Sequence, residues 1–269
     1  MGFRLWALGF RNRVASFLLH SFGVAARKGY SELPTPNSEL PTPNSQLPKM
    51  SIAQNIEIIR QDLPASVKLM AVTKYASVAQ MREAYAVGIR DFGESKIQDA
   101  QSKQQELADL PDLYWHLIGH LQGNKVRKAL QLFDWIHSVD SLRLLQQIDR
   151  VAIEINTSPN ICLQVKVLPD PDKYGWTMPE LFADLPEINC CQQVKIRGLM
   201  AIPPLGLSSI QTAEFFERVR DLSHEINHQQ KLSFQLSELS MGMSGDYHQA
   251  IAAGATIIRP GSIIFNHNP

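Results

Sequence analysis

The sequence predicts a single (β/α)8 TIM barrel of the α/β class, on three observations. From Met50 onward, eight short apolar runs alternate with stretches of helical periodicity over roughly 220 residues, the usual size of such a barrel. Helix-starting pairs stand between runs, the clearest being Ser77 and Gln80 at capping-box spacing. The turn after the first run, Ala76-Ser77-Val78, has none of the glycines that an open, doubly wound sheet places there.

Taken in order, Ile52, Ile56 and Ile59 give a leading helix that ends near Asp62-Leu-Pro64. The first strand is Val67–Thr73, followed by a helix with Val78, Met81, Ala84 and Tyr85 on one face and Gly88 as its stop. Later strands are expected at Arg90–Gly93, Trp115–Gly119, Trp135–Val139, Ile161–Val167, Val194–Ile202, Phe234–Leu239 and Thr256–Arg259. Helices fill the gaps at about 96–109, 124–132, 141–150, 178–184, 211–227 and 246–253. The 211–227 helix carries Phe215, Phe216, Val219, Leu222 and Ile226 in one stripe, a packing face rather than a cofactor box.

Residues 1–49 stand apart from this domain at 50–269. Their first thirty residues are basic and free of acids, superficially like a targeting segment. Ser31-Glu-Leu-Pro-Thr-Pro-Asn-Ser38 then repeats through Glu39-Leu-Pro-Thr-Pro-Asn-Ser45 and starts again at Gln46-Leu-Pro48. Such a repeat builds no core, so 1–49 is expected to be a disordered or spurious extension. The chain is 44% hydrophobic with formal net charge zero, and six bases against two acids in 1–49 leave the remainder mildly acidic. That balance offers no nucleic-acid surface. Cys162, Cys190 and Cys191 form neither a disulfide frame nor a zinc pattern, which suits a reducing cytoplasmic setting, and no apolar run is long enough to cross a bilayer.

Barrels carry their chemistry at the carboxyl ends of strands, with phosphate at the loops after the last two. Leu69-Met-Ala-Val-Thr-Lys74 ends there in an amine. A lysine desolvated by an apolar run is more often the neutral nucleophile that forms an imine with an aldehyde; the alternative is a lysine that snorkels to water. Leu239-Ser-Met-Gly-Met-Ser-Gly-Asp246 and Arg259-Pro-Gly-Ser262 offer small residues and backbone N–H groups, with hydroxyls at Ser240, Ser244 and Ser262, as an anion cradle requires. Asp246 with Gln249 reads as a capping pair. Arg259 ends the last strand, either in a structural salt bridge or facing the same mouth. There a guanidinium about 4 Å from a pyridine nitrogen would oppose its protonation by about 4 kcal/mol at an effective dielectric of 20, or about 3 pKa units. His116-Leu-Ile-Gly-His120 has zinc-protease histidine spacing without the glutamate, in a stretch that reads as strand.

From Met50 to Asn266 the chain resembles the pyridoxal phosphate homeostasis protein (YggS/PROSC) family. The blocks that carry the likeness are Leu69–Lys74, Arg90-Asp-Phe-Gly-Glu94, Trp115-His-Leu-Ile-Gly-His-Leu-Gln122, His137-Ser-Val-Asp-Ser141, Lys173-Tyr-Gly175, Gly198-Leu-Met200, Leu239-Ser-Met-Gly-Met-Ser244 and Arg259-Pro-Gly-Ser-Ile-Ile-Phe265. The resemblance implies a fold-type III barrel like the amino-terminal domain of alanine racemase, binding pyridoxal 5'-phosphate (PLP). It assigns Lys74 as the Schiff-base lysine, Ser240, Gly261 and Ser262 to the phosphate, and Arg259 to the pyridine nitrogen. It also implies a monomer that serves PLP supply and amino-acid/keto-acid balance without established turnover, with PLP-dependent apoenzymes or a regulatory protein as partners. Ser95 stands where the family commonly has asparagine, and Asn266 where it has glycine. The alternative is a weak PLP-dependent amino-acid racemase. Racemisation needs a base on each face of the substrate, and the racemases draw the second, a tyrosine, from an added domain that is not expected in this sequence. Arg259 also weakens the ring as an electron sink.

Overall fold

The structure, a computed structural model, describes residues 50–229 and 232–266. The expectation for residues 1–49 falls outside them.

Among the described residues nine strands form: β1 (Lys68–Val72), β2 (Asp91–Glu94), β3 (Tyr114–Leu117), β4 (Trp135–Val139), β5 (Asn160–Lys166), β6 (Trp176–Thr177), β7 (Lys195–Met200), β8 (Glu238–Ser240) and β9 (Ile257–Ile258). All but β6 pair in parallel around a closed ring, β1 to β5, then β7, β8 and β9, with β9 returning to β1 through Lys68 opposite Ile257 and Leu69 opposite Ile258. The ring is the expected eight-stranded barrel; β6 is a two-residue addition beside β5. The helices around it are α1 (Ile52–Gln61), α2 (Val78–Ala86), α3 (Ile97–Glu106), α4 (Val126–Leu132), α5 (Leu142–Glu154), α6 (Met178–Ile188), α7 (Ser209–Asn227), α8 (Tyr247–Ala252) and α9 (Ser262–Phe265). Among the described residues no helix is long and apolar enough to cross a membrane.

Local chemistry explains the boundaries. Ser77 accepts from the Gln80 N–H while the Gln80 side chain accepts from the Ser77 N–H, so the capping pair starts α2 as read. The expected strand at Phe234–Leu239 shrinks to Glu238–Ser240. Leu236 is the reason: its N–H and C=O both bond to the Asn227 side chain at the end of α7, leaving no ladder to join. Asp246 does stand at the start of α8, but its carboxylate accepts from the Met243 N–H (2.5 Å) instead of capping the helix, and Gln249 turns to Ser209.

Side chains alternate across the ring. Outward residues such as Phe92, Ile136, Ile161 and Leu199 join the helices in the main core. The inner face is different. It holds Trp135, Cys162 and Met200 as a separate small cluster, together with the fully buried polar groups His116, His137 and Ser240. Buried polar groups need partners, and these supply one another.

Candidate functional site

Parallel strands bring their carboxyl ends to one rim, and there a cavity of about 410 Å³ opens, within the usual range for a small-molecule site. Residues just past six different strands line it: Lys74 after β1, Ser95 after β2, Ile118 after β3, Met200 and Ile202 at β7, Ser244 after β8, and Arg259 with Gly261 and Ser262 after β9. Lys74, Arg259, Gly261 and Ser262 are therefore brought together as the sequence implied.

Lys74 is exposed rather than buried, because the apolar run ends one residue earlier at the fully buried Thr73. Its Nζ lies 5.0 Å from the ring centre of Tyr75, which shares the cavity wall. The desolvation expected of a strand-buried amine is therefore not what this position supplies. Fixity comes from behind. Thr73 Oγ1 donates to Glu94 Oε1 (2.6 Å), and Lys103 Nζ on α3 donates both to the Thr73 carbonyl (2.7 Å) and to Glu94 Oε1 (2.8 Å). Glu94 is fully buried, and its Oε2 has no hydrogen-bond partner among the described residues. The sequence reading missed this set; a glutamate closing the apolar Asp-Phe-Gly-Glu94 strand was the available signal.

Arg259 is the charge of the site, and it is 4% exposed. Its guanidinium donates to the carbonyl of Ser240, to the Ser240 hydroxyl (2.9 Å) and to the carbonyl of Ala201 (2.9 Å). No carboxylate pairs with it among the described residues, so the salt-bridge alternative fails. Burial pulls its pKa down to about 10, which leaves it charged at neutral pH.

Ser240 does not line the cavity. It lies behind Arg259, wholly buried, with its hydroxyl engaged by Arg259 and by His137. Ser244 stands at the wall instead, and its hydroxyl oxygen accepts from the backbone N–H groups of Gly261 (3.1 Å) and Ile263 (3.3 Å). Two amides thus converge on one electron-rich oxygen, the arrangement an anion oxygen needs. Glycine is required at both ends of this cradle. Gly242 turns the chain at φ +94°, and a Cβ on Gly261 would sit 3.0 Å from the Val72 carbonyl oxygen. Asn266 occupies a left-handed conformation (φ 55°), where asparagine replaces glycine at least cost, and it ties to Asn55 and the Met50 carbonyl away from the cavity. The departure at Ser95, by contrast, falls on the wall itself.

The donor set fits PLP: an amine for an aldehyde, apolar walls at Val72, Ile118 and Met200 for a ring, a cation, and an amide-hydroxyl cradle for a phosphate. Fold and cavity together define a barrel of the alanine racemase amino-terminal class, and the family described as "Alanine racemase, N-terminal domain" matches residues 49–269. At 13% identity, the alanine racemase of Clostridium difficile shares the fold alone, with TM-score 0.62 over 81% of this chain and 56% of its own. The pyridoxal phosphate homeostasis protein of Synechocystis sp. is 52% identical over 76% of this chain and 92% of its own length, and that of Pseudomonas aeruginosa 42% identical over 75% and 85%. PipY of Synechococcus elongatus, whose structure is known with PLP bound, is 52% identical with TM-score 0.77 over 80% of this chain and all of its own. The chain belongs to the pyridoxal phosphate homeostasis protein family.

Proposed function

We propose that this protein binds PLP at the rim cavity, attached through Lys74, and serves intracellular PLP homeostasis as a carrier and regulator without efficient catalysis. The observation that carries the reading is that a single cavity wall joins Lys74, the carboxylate-free cation Arg259 and the Ser244–Gly261–Ser262 cradle. When bound, PLP would supply a conjugated ring able to withdraw electrons from the α-carbon of an amine joined through its own nitrogen to the aldehyde carbon.

Each residue then has a task. Lys74 provides the amine. Gly261, Ser262 and Ser244 receive the phosphate, and Ser240 acts from behind by holding Arg259. Arg259 favours an unprotonated pyridine nitrogen, since a second positive charge nearby would cost several kcal/mol. An unprotonated ring stabilises carbanions poorly, which suits storage and transfer rather than racemisation. In this reading the protein works as a cytoplasmic monomer that exchanges PLP with apoenzymes or a regulatory protein.

Purified protein mixed with PLP should show a visible absorption band that Lys74→Ala abolishes. Absence of the band in the wild type would refute the binding reading. Rapid interconversion of alanine or serine enantiomers by the loaded protein would refute the non-catalytic one and leave a racemase.

A further inference from the structure

His116 and His137 are wholly buried inside the barrel, and neither lines the cavity. They are nonetheless tied to it. Asp91 opens β2 at the amino-terminal end of the barrel, where its Oδ1 lies 3.3 Å from Lys68 Nζ and 3.0 Å from His116 Nε2. His116 Nδ1 is 2.9 Å from His137 Nε2, His137 Nδ1 is 2.8 Å from Ser240 Oγ, and that oxygen is 2.9 Å from a guanidinium nitrogen of Arg259. One unbroken hydrogen-bonded line thus runs the length of the barrel from Asp91 to the cavity wall.

The line has a direction, and chemistry at its two ends fixes it. The Asp91 carboxylate only accepts, so His116 carries its proton on Nε2. A neutral His116 then presents a lone pair at Nδ1, which requires the His137 proton on Nε2 and leaves His137 Nδ1 bare. Ser240 must therefore donate to His137, which leaves its oxygen lone pairs for the Arg259 N–H. The opposite tautomers would set a nitrogen lone pair against a carboxylate oxygen at 3.0 Å. Burial holds both imidazoles below their usual pKa, His137 well below, while His116 and Lys68 keep Asp91 ionised despite the opposing effect of burial. The charged groups facing the line are therefore Asp91, Lys68 and Arg259, with Asp134 near His116.

We propose that Asp91, His116 and His137 are positioning residues for Arg259: by fixing two imidazole tautomers they make the Ser240 hydroxyl an acceptor that holds the guanidinium at the cofactor wall. The assignment of tautomers stands on the protein alone; the effect on the cofactor rests on the PLP reading. Nitrogen-15 NMR of the labelled full chain, without cofactor, decides the first. Both rings should be neutral with the proton on Nε2, the two signals being assigned by their loss in His116→Phe and His137→Phe. A proton on Nδ1 of either ring, or a charged imidazole at neutral pH, would overturn the proposal.

The absorption maximum of PLP-loaded protein decides the second. It should move in His137→Phe, which keeps the ring volume but breaks the line. It should stay in place in Ile136→Val, which perturbs the same strand on its helix-facing side, in the main core and away from the line. An unmoved maximum in His137→Phe, with the wild-type band present, would sink the positioning role while sparing the PLP reading. A wild type without any band would sink the PLP reading, leaving the tautomer result to judge the line.

Discussion

Removing the charge of Lys103 is a direct test of how Lys74 is held. In Lys103→Met the aliphatic stem survives, but Glu94 Oε1 keeps only the Thr73 hydroxyl, and Oε2 has no partner to begin with. Glu94 is fully buried, and the Lys103 side chain is only 13% exposed, so water restores little. Breaking one side of a buried ion pair costs about 3 to 5 kcal/mol. The lower figure applies here, because the Thr73 carbonyl still accepts from the Ala76 N–H (2.8 Å). About 3 kcal/mol in a domain of this size lowers the melting temperature by about 6 to 12 °C. Thermal unfolding followed by circular dichroism reads that shift, and PLP titration of the folded variant should show weaker binding, since Thr73 directly precedes Lys74. Adding Glu94→Gln should return more than half of the lost stability, because the stranded charge goes with it. A single variant that melts within about 2 °C of the wild type would refute the claim that this pair anchors the strand end.

Two further outcomes follow from the geometry. Gly261→Ala forces a methyl to 3.0 Å from the Val72 carbonyl, so it should cost about 1 to 3 kcal/mol and lower PLP affinity more than it lowers stability at other rim positions; urea titration and absorbance titration separate the two effects. Stability should fall as the solution is acidified through the histidine range. His116 and His137 have folded-state pKa values below 6.5, so the unfolded chain takes up protons first as pH drops below that value, and each histidine removes up to about 1.4 kcal/mol per pH unit until the folded form also titrates. The lowered pKa of Asp91 acts only at more acid pH, near its ordinary value of 3.8. Urea midpoints measured between pH 7 and pH 5 check the trend, and His137→Phe should flatten it.

The barrel was legible because strand count, strand length and helix caps are local properties. Ser77 with Gln80 wrote its own cap, and Trp135–Val139 matches its predicted bounds. Reading failed where a distant side chain took over a backbone. Asn227 captured Leu236 and shortened the strand before Ser240, and Met243 diverted Asp246 from capping. At the site, barrel topology pointed to one rim for Lys74, Arg259, Gly261 and Ser262, while their roles toward a cofactor came from the family resemblance. Depth followed from neither: nothing local says that Ser240 points behind the wall while Ser244, four residues on, faces the cavity. The two histidines were equally hidden. Spacing along the chain set His116 beside His120, in a zinc-protease pattern without its glutamate, whereas in the fold His116 meets Asp91 and His137, and His137 meets Ser240, all from other strands.

β9 has two residues and β8 three, so the sector where the ring meets itself carries the fewest ladder bonds. Arg259 spans that sector, clasping carbonyls at the ends of β7 and β8 from its own place after β9. The cation on the cavity wall is thus also the bolt on the barrel's weakest seam. A lineage that exchanged this arginine would loosen the closure of the whole cylinder at the same stroke, so the cavity wall and the architecture here can change only together.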